Sequence, residues 1–159
     1  MTPEGDEPLA ANRREQILAF MRERPYAVQA SNGLEGSPQA AVVGVVVSDR
    51  FEVFFDTVGS SRKAQNLRRR PMAAFVFAST ESDATRTVQL EGAADEPTGA
   101  DRARLIGLYL DRFPDGLERQ SWPGLTYFRI TPHWIRYSDF SVDPPEIIEW
   151  DADEMRPTP

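Results

Sequence analysis

Short runs of apolar and β-branched residues, each bounded by turn signals, recur through this chain and constrain its fold more than any other feature. Asn32-Gly33 and Gly36-Ser37-Pro38 separate the first two runs, and Ser48-Asp49-Arg50 separates the next two. Such neighbours are joined as hairpins rather than through crossover helices. Strands are predicted over residues 26–31, 40–47, 51–57, 72–78 and 86–93, over 125–138 as two strands or one bent at Pro132, and over 146–150.

Helices are predicted in three places around these strands. The first starts near Asn12, where Glu15 completes a capping box, and ends at Pro25. A short helix covers residues 61–69, and another begins after Thr98. Six or seven hairpin-connected strands with few helices predict a mainly β protein, a closed or partly closed antiparallel barrel with flanking helices.

The chain length of 159 residues suits one domain. That domain is predicted to span residues 10–150, with a disordered leader over 1–9 and a flexible tail over 151–159. Residues 40–47 form the longest apolar run, which is read as a strand buried on both faces. No run approaches the roughly 20 apolar residues of a membrane-spanning helix. We also see no secretory signal, and a cytoplasmic protein is expected.

The composition excludes several kinds of chemistry. The sequence has no cysteine, so disulfides, thiolate metal sites and cysteine nucleophiles are ruled out. His133 is its single histidine, which rules out a multi-histidine metal site. The formal net charge of −7 argues against nucleic acid as a partner, because neutralising phosphates requires clustered Lys and Arg. No metal and no membrane association are predicted.

One segment carries charge where a helix does not favour it. A strand that ends at Thr57 is followed by Gly59, and Ser61-Arg62-Lys63 then opens the short helix. Two cations in the first turn add to the partial positive charge that a helix already carries at its amino end. The arrangement makes sense if an anion binds there, held by backbone N–H groups, hydroxyls and both cations. We therefore predict a phosphate site.

Several segments, in order, resemble the pyridoxamine 5'-phosphate oxidase-like superfamily of flavin-binding split barrels. The resemblance covers about residues 10–140, and its most specific part is the Ser-Arg-Lys-x-x-x-Leu element after a strand that ends in Thr. The segments that carry it are residues 36–44 (GSPQAAVVG), 53–57 (VFFDT), 61–67 (SRKAQNL), 71–76 (PMAAFV) and 86–92 (RTVQLEG).

The resemblance implies a homodimer with FMN in a cleft at the subunit interface. Arg62 and Lys63 would contact the phosphate, with hydroxyl contacts from Thr57 and Ser61. The backbone of Ala41, Val42, Val43 and Gly44 would lie on the strand beside the flavin ring, and Asp56 would contact the phosphate arm of the cofactor. Further contacts are expected from Thr87 or Gln89 on the next strand, and from Arg136 and Tyr137 of the second subunit.

The sequence also departs from the vitamin B6 oxidases of this superfamily. The late segment reads Arg136-Tyr137-Ser138 without their histidine, and Ala41 stands where they carry an arginine. We therefore expect an FMN-dependent oxidoreductase with another small-molecule substrate, and no catalytic side chain is predicted, because the flavin itself exchanges hydride. The superfamily also includes deazaflavin-dependent reductases and heme-handling proteins. The alternatives are a deazaflavin-dependent reductase, a non-catalytic flavin-binding protein, or a barrel dimer without cofactor.

Overall fold

The computed structural model describes residues 6–78 and 85–156. Within these residues the chain forms four helices and eight strands. The helices are α1 (Asp6–Arg22), α2 (Arg62–Arg69), α3 (Gly99–Arg112) and α4 (Gly116–Arg119). The strands are β1 (Tyr26–Asn32), β2 (Pro38–Gly44), β3 (Val46–Val47), β4 (Val53–Val58), β5 (Met72–Ala78), β6 (Arg86–Asp95), β7 (Leu125–Asp139) and β8 (Glu146–Asp151).

All strand pairs are antiparallel, as the turn signals predicted. The order across the sheet is β2-β1-β5-β6-β7-β4-β3, and β8 pairs with β7 outside this path. A single residue, Val45, separates β2 from β3, so the segment 38–47 pairs with β1 at one end of the sheet and with β4 at the other. The sheet therefore curls round on itself, which confirms the antiparallel barrel with flanking helices.

The barrel interior is filled by large apolar side chains at alternate strand positions. Phe75 and Phe77 on β5, Val88 and Leu90 on β6, and Phe55 on β4 are at most 1% exposed. Burying each such side chain is worth roughly 1.5–3 kcal/mol. One end of the barrel is covered by α1, whose Ile17, Leu18, Phe20 and Met21 join the same core. These four residues form the apolar face of the helix.

The strand over residues 40–47 differs from the prediction. It was expected to be buried on both faces, but the Val42 side chain is 69% exposed whereas Val43 is buried. The reason is that β2 pairs with β1 in a single layer, so alternate side chains point into the barrel and out of it. The outward row Val42, Val28 and Val76 crosses three strands and is solvent-exposed in the single chain.

Within the described residues, both terminal segments contain regular structure or packed side chains. Helix α1 begins at Asp6, six residues before Asn12, so residues 6–9 belong to a helix. At the other end Met155 is buried in the core, and the Arg14 guanidinium donates to its carbonyl oxygen at 3.2 Å. Residues 1–5 and 157–159, where the leader and tail were predicted, lie outside the described residues.

The late segment forms one continuous strand, β7, of 15 residues. Pro132 is accommodated because the register with β6 shifts between Glu91 and Gly92, which places one extra residue, His133, in a bulge. A Cβ at Gly92 would lie 2.5 Å from the Thr131 carbonyl oxygen, so only glycine allows the strands to approach this closely there.

Candidate functional site

Helix α2 begins where the sequence predicted it, directly after β4. Ser61 is its N-cap, and the Ser61 hydroxyl accepts the Ala64 N–H at 3.3 Å. That hydroxyl also lies 3.0 Å from the Thr57 hydroxyl at the end of β4. Ser61 and Thr57 therefore fix the angle at which the helix leaves the strand, and the direction in which Arg62 and Lys63 project.

Arg62 and Lys63 line a cleft of about 520 Å³ at the mouth of the barrel. The rest of its wall comes from β1, β2 and the turn between them. These lining residues are Gln29, Ser31, Ser37, Pro38, Gln39, Ala40 and Ala41. A smaller groove of about 280 Å³ adjoins it and shares Ser37, Gln39 and Arg62 with the cleft. The volume suits a small organic ligand, since ligand pockets measure roughly 300–1,000 Å³.

The electrostatics of the cleft favour an anion. No residue that lines it carries a carboxylate, and the first turn of α2 contains no acidic residue. The half-buried Lys63 ammonium has no hydrogen-bond or ion-pair partner among the described residues. Two cations in the first turn of a helix thus line one cleft in a chain of net charge −7.

A chain of polar side chains holds Arg62 in place. The Gln39 side-chain amide, oriented with its oxygen toward Arg62, accepts the Arg62 Nε–H at 2.9 Å. The other end of this amide contacts Asn66, which is buried and whose Nδ2 donates to the Ser31 hydroxyl at 3.1 Å. Arg62 is thus fixed to β1 and β2 through neutral groups, which leaves its positive charge uncompensated.

Gln29 lies at the floor of the cleft with an unsatisfied donor. The side chain is 1% exposed, and its Nε2 has no hydrogen-bond partner among the described residues. Sequence reasoning missed Gln29, Ser31, Gln39 and Asn66. The available signal was alternation in β1, where Ala27, Gln29 and Ser31 share one face. It indicates the cleft only when combined with the β1–β2 register.

The predicted ring-side residues separate into different environments. Ala41 lines the cleft. Val42 faces outward, and Val43 belongs to the barrel core. A Cβ at Gly44 would lie 3.2 Å from the Phe113 ring, so this position is covered by the segment that follows α3.

Asp56 is not part of the cleft. Its carboxylate accepts the Tyr109 hydroxyl at 2.8 Å and the Arg119 Nε–H at 2.8 Å. Burial and this carboxylate together raise the pKa of the Tyr109 hydroxyl well above its usual value. Asp56 therefore holds α3 and α4 against β4. This structural role explains why a carboxylate occurs so close in sequence to Arg62 and Lys63.

The remaining predicted contacts lie on other faces of the sheet. Thr87 and Gln89 share the outer face of β6, as their alternation predicted, opposite Ser138 and Arg136. Arg136 is half-buried there, and its guanidinium lies 3.4 Å from the Glu149 carboxylate. Tyr137 was expected at a subunit contact, but it points inward, is 9% exposed and packs edge-to-face on Phe20.

No metal centre is visible in the part of the chain that the structure describes, since no three His, Cys, Asp or Glu residues cluster there in a way that could hold an ion. His133 is exposed in the β7 bulge, with its Nε2 3.7 Å from the Glu91 carboxylate. Among the described helices, none is long and apolar enough to cross a membrane.

The fold is a split β-barrel with a cleft lined by Arg62 and Lys63. Residues 14–139 match the family model described as pyridoxamine 5'-phosphate oxidase. The chain therefore belongs to the pyridoxamine 5'-phosphate oxidase family. None of the curated proteins compared with the chain matches it.

Solved structures with the same fold include proteins of different function. A heme binding protein from Mycobacterium smegmatis has a TM-score of 0.77 at 18% identity over 92% of this chain, which spans 59% of that protein. The heme storage protein HutZ from Vibrio cholerae gives 0.66 at 18% identity, over 74% of this chain and 88% of its own.

A third structure belongs to the pyridoxinephosphate oxidase family. It is a Clostridium acetobutylicum protein related to general stress protein 26 of B. subtilis, with a TM-score of 0.70 at 15% identity, covering 92% of this chain and 99% of its own. At these identities the three structures establish the fold and no more.

Proposed function

We propose that the cleft binds the phosphate of FMN and that the protein is an FMN-dependent oxidoreductase acting on a small organic substrate. The observation that carries the proposal is the pair Arg62 and Lys63 at the start of α2, which faces a cleft without any carboxylate. A phosphate monoester would be neutralised there by both cations and by helix N–H groups.

The residues present suit a flavin nucleotide. Arg62 and Lys63 would hold the phosphate, and the small side chains of Ala40 and Ala41 leave the adjoining wall open to a flat ring. The bound flavin would supply hydride acceptance and donation. The chain's own residues would bind and orient it, and we assign no acid–base residue, in keeping with the absence of a carboxylate from the cleft.

We further propose that two subunits share this site, with the exposed apolar face of the sheet between them. Val42, Val28 and Val76 are 69%, 40% and 40% exposed and form one row across β2, β1 and β5. An exposed apolar row on a sheet commonly marks an association surface. Thr87, Gln89 and Arg136 lie on the same outer face, where a neighbouring subunit would meet them.

Heme binding, suggested by two of the structural neighbours, has less support in this cleft. Heme iron is usually held by His, Cys, Met or Tyr, and no such residue lines the cleft. The single histidine, His133, lies in the β7 bulge and is not among the cleft residues. A deazaflavin nucleotide would satisfy the same phosphate contacts as FMN, as would a flavin held without catalysis.

The test is to identify what the purified protein carries and takes up. We expect a yellow protein whose absorption spectrum and released small molecule are those of FMN, or a flavin-free protein that binds FMN in a fluorescence titration. Reduction by a nicotinamide nucleotide, followed by reoxidation with an organic acceptor, would show an enzyme rather than a carrier. Uptake of deazaflavin but not FMN would assign the alternative cofactor. Binding of neither, or a Soret band from heme, would refute the proposal.

A further inference from the structure

Gln29 occupies the middle of β1, inside the barrel mouth. It lies opposite Ala41 of β2 on one side and Phe75 of β5 on the other. Its side chain shares the inward face with Ala27 and Ser31 and is 1% exposed at the floor of the cleft. No neighbouring residue accepts its Nε2 hydrogens in the described part of the chain.

A buried amide donor without a partner is costly and uncommon. More than nine in ten buried polar groups are hydrogen-bonded. A buried group without a partner has given up its hydrogen bonds to water and gained none in return, which costs free energy. Two other polar side chains of the cleft wall do have side-chain contacts: Gln39 contacts Arg62, and the Ser31 hydroxyl accepts from Asn66. Besides the Lys63 ammonium at its cationic end, the cleft therefore contains a buried amide donor, Gln29 Nε2, that the described residues leave unused.

This donor lies away from the cationic end of the cleft. Ser31 pairs with Gln39, which contacts Arg62, so this layer belongs to the cationic end. Gln29 lies two residues further along β1, about 7 Å away at the rise of a strand. A ligand whose phosphate meets Arg62 and Lys63 would thus reach Gln29 with atoms several bonds from phosphorus.

We propose that the Gln29 Nε2 donates to a neutral acceptor of the bound ligand, a carbonyl oxygen or ring nitrogen, and so selects phosphate esters that carry a heterocycle. The inference rests on the proposed flavin site and deepens it, because it names the group that distinguishes a flavin nucleotide from a simple phosphate. Inorganic phosphate would use the cationic end only. Leucine at this position would remove the unsatisfied donor, so it should not destabilise the ligand-free protein.

The test compares Gln29→Leu and Gln29→Glu with the parent and with Gln16→Leu, an exposed position on α1. Flavin-free protein is titrated with FMN and with the deazaflavin cofactor, and inorganic phosphate binding is followed by thermal shift. Gln29→Leu should melt no lower than the parent and bind phosphate equally well. Its affinity for the flavin should fall about three- to tenfold, the effect of losing one hydrogen bond. Gln29→Glu should lose more flavin affinity than Gln29→Leu, since its carboxylate would face an acceptor atom of the ligand.

Each outcome decides between the two proposals. A parent that binds neither FMN nor deazaflavin refutes the proposed function and this inference with it. If the parent binds a flavin and Gln29→Leu binds it within twofold, only the role of Gln29 is overturned. Equal losses of flavin and phosphate affinity would show a collapsed cleft, which also overturns the selective role.

Discussion

The Thr57 hydroxyl lies 3.0 Å from the Ser61 hydroxyl, which joins the last residues of β4 to the N-cap of α2. Ser61 also accepts the Ala64 N–H, so one oxygen serves both the strand end and the helix start. The orientation of the two cations that follow depends on this contact, because Arg62 and Lys63 are the first residues of the helix.

Replacing Ser61 with alanine should cost about 1 kcal/mol of unfolding free energy, the usual effect of losing an N-cap. Urea unfolding followed by circular dichroism measures it. Ser60→Ala is the matched control, because the Ser60 side chain is exposed and makes no hydrogen bond to any described residue. It should stay within about 0.5 kcal/mol of the parent, as surface changes do. Equal stability of the Ser61→Ala variant and the parent would show that the cap is not formed in solution.

The double variant Arg62→Ala with Lys63→Ala should lose flavin retention while remaining folded. Both side chains line the cleft, and phosphate binding depends on their charge. Arg69→Ala with Arg70→Ala removes the same charge from exposed positions at the other end of α2, outside the cleft lining, and should retain the cofactor. Fluorescence titration of each variant with FMN provides the comparison, and unchanged affinity in the first variant would place the phosphate elsewhere.

The sequence was informative wherever local chemistry decides the structure. Asn32-Gly33, Pro71 and Pro114 end elements as their backbone preferences require, and this was enough for hairpin connectivity and barrel class. The predicted count of six or seven strands was too low, because the run over residues 40–47 is divided between β2 and β3 and the structure describes eight strands. The unusual position of the two cations after Ser61 could also be recognised from the sequence, because a mismatch with the helix dipole involves only a few adjacent residues.

The remaining features depend on register and on distant packing. Gln29 meets Ala41 only through the β1–β2 pairing, and Asn66 reaches Ser31 across 35 residues of chain. Tyr137 could not be assigned to the core from alternation alone, because which face of β7 is buried depends on its pairing with β6 and β8. The resemblance placed Asp56 beside the phosphate, whereas Tyr109 and Arg119 hold it away from the cleft.

Asp56→Asn should therefore reduce stability without changing flavin affinity. The substitution weakens two hydrogen bonds to a carboxylate and leaves Arg119 without its main counter-charge, with an expected loss of about 2 kcal/mol. Asp115→Asn is the control, since Asp115 also pairs with Arg119 but has a side chain that is 68% exposed. Thermal unfolding and an FMN titration are measured on both variants. Tighter FMN binding by Asp56→Asn would indicate that this carboxylate does oppose the phosphate.

Acid should weaken the attachment of α2 to the barrel. The Arg68 guanidinium donates to both oxygens of Glu96 and holds the pKa of that carboxyl below its usual value of 4.5. A lowered folded-state pKa means that this contribution to stability is present above pH 4.5 and is lost as pH falls through the folded value.

Glu96→Gln removes this titration, so its unfolding free energy should fall less steeply than the parent's below about pH 4.5. Urea unfolding across a pH series measures the difference. Glu118→Gln, at an exposed glutamate that makes no ion pair in the described structure, should follow the parent. Parallel curves for Glu96→Gln and the parent would mean that this ion pair is too well solvated to matter.

Val42→Glu should separate the proposed dimer into monomers. Val42 is the most exposed member of the apolar row with Val28 and Val76, and a carboxylate there would have to be desolvated on association. Light scattering should give about twice the chain mass of 17.9 kDa for the parent and a single chain mass for the variant, with weaker FMN retention if both subunits form the site. Leu117→Glu, at a leucine that is 64% exposed on α4, changes the same charge away from this face and should remain dimeric. A parent that is monomeric at micromolar concentration would remove the basis for a shared cleft and leave the cofactor to one subunit's residues.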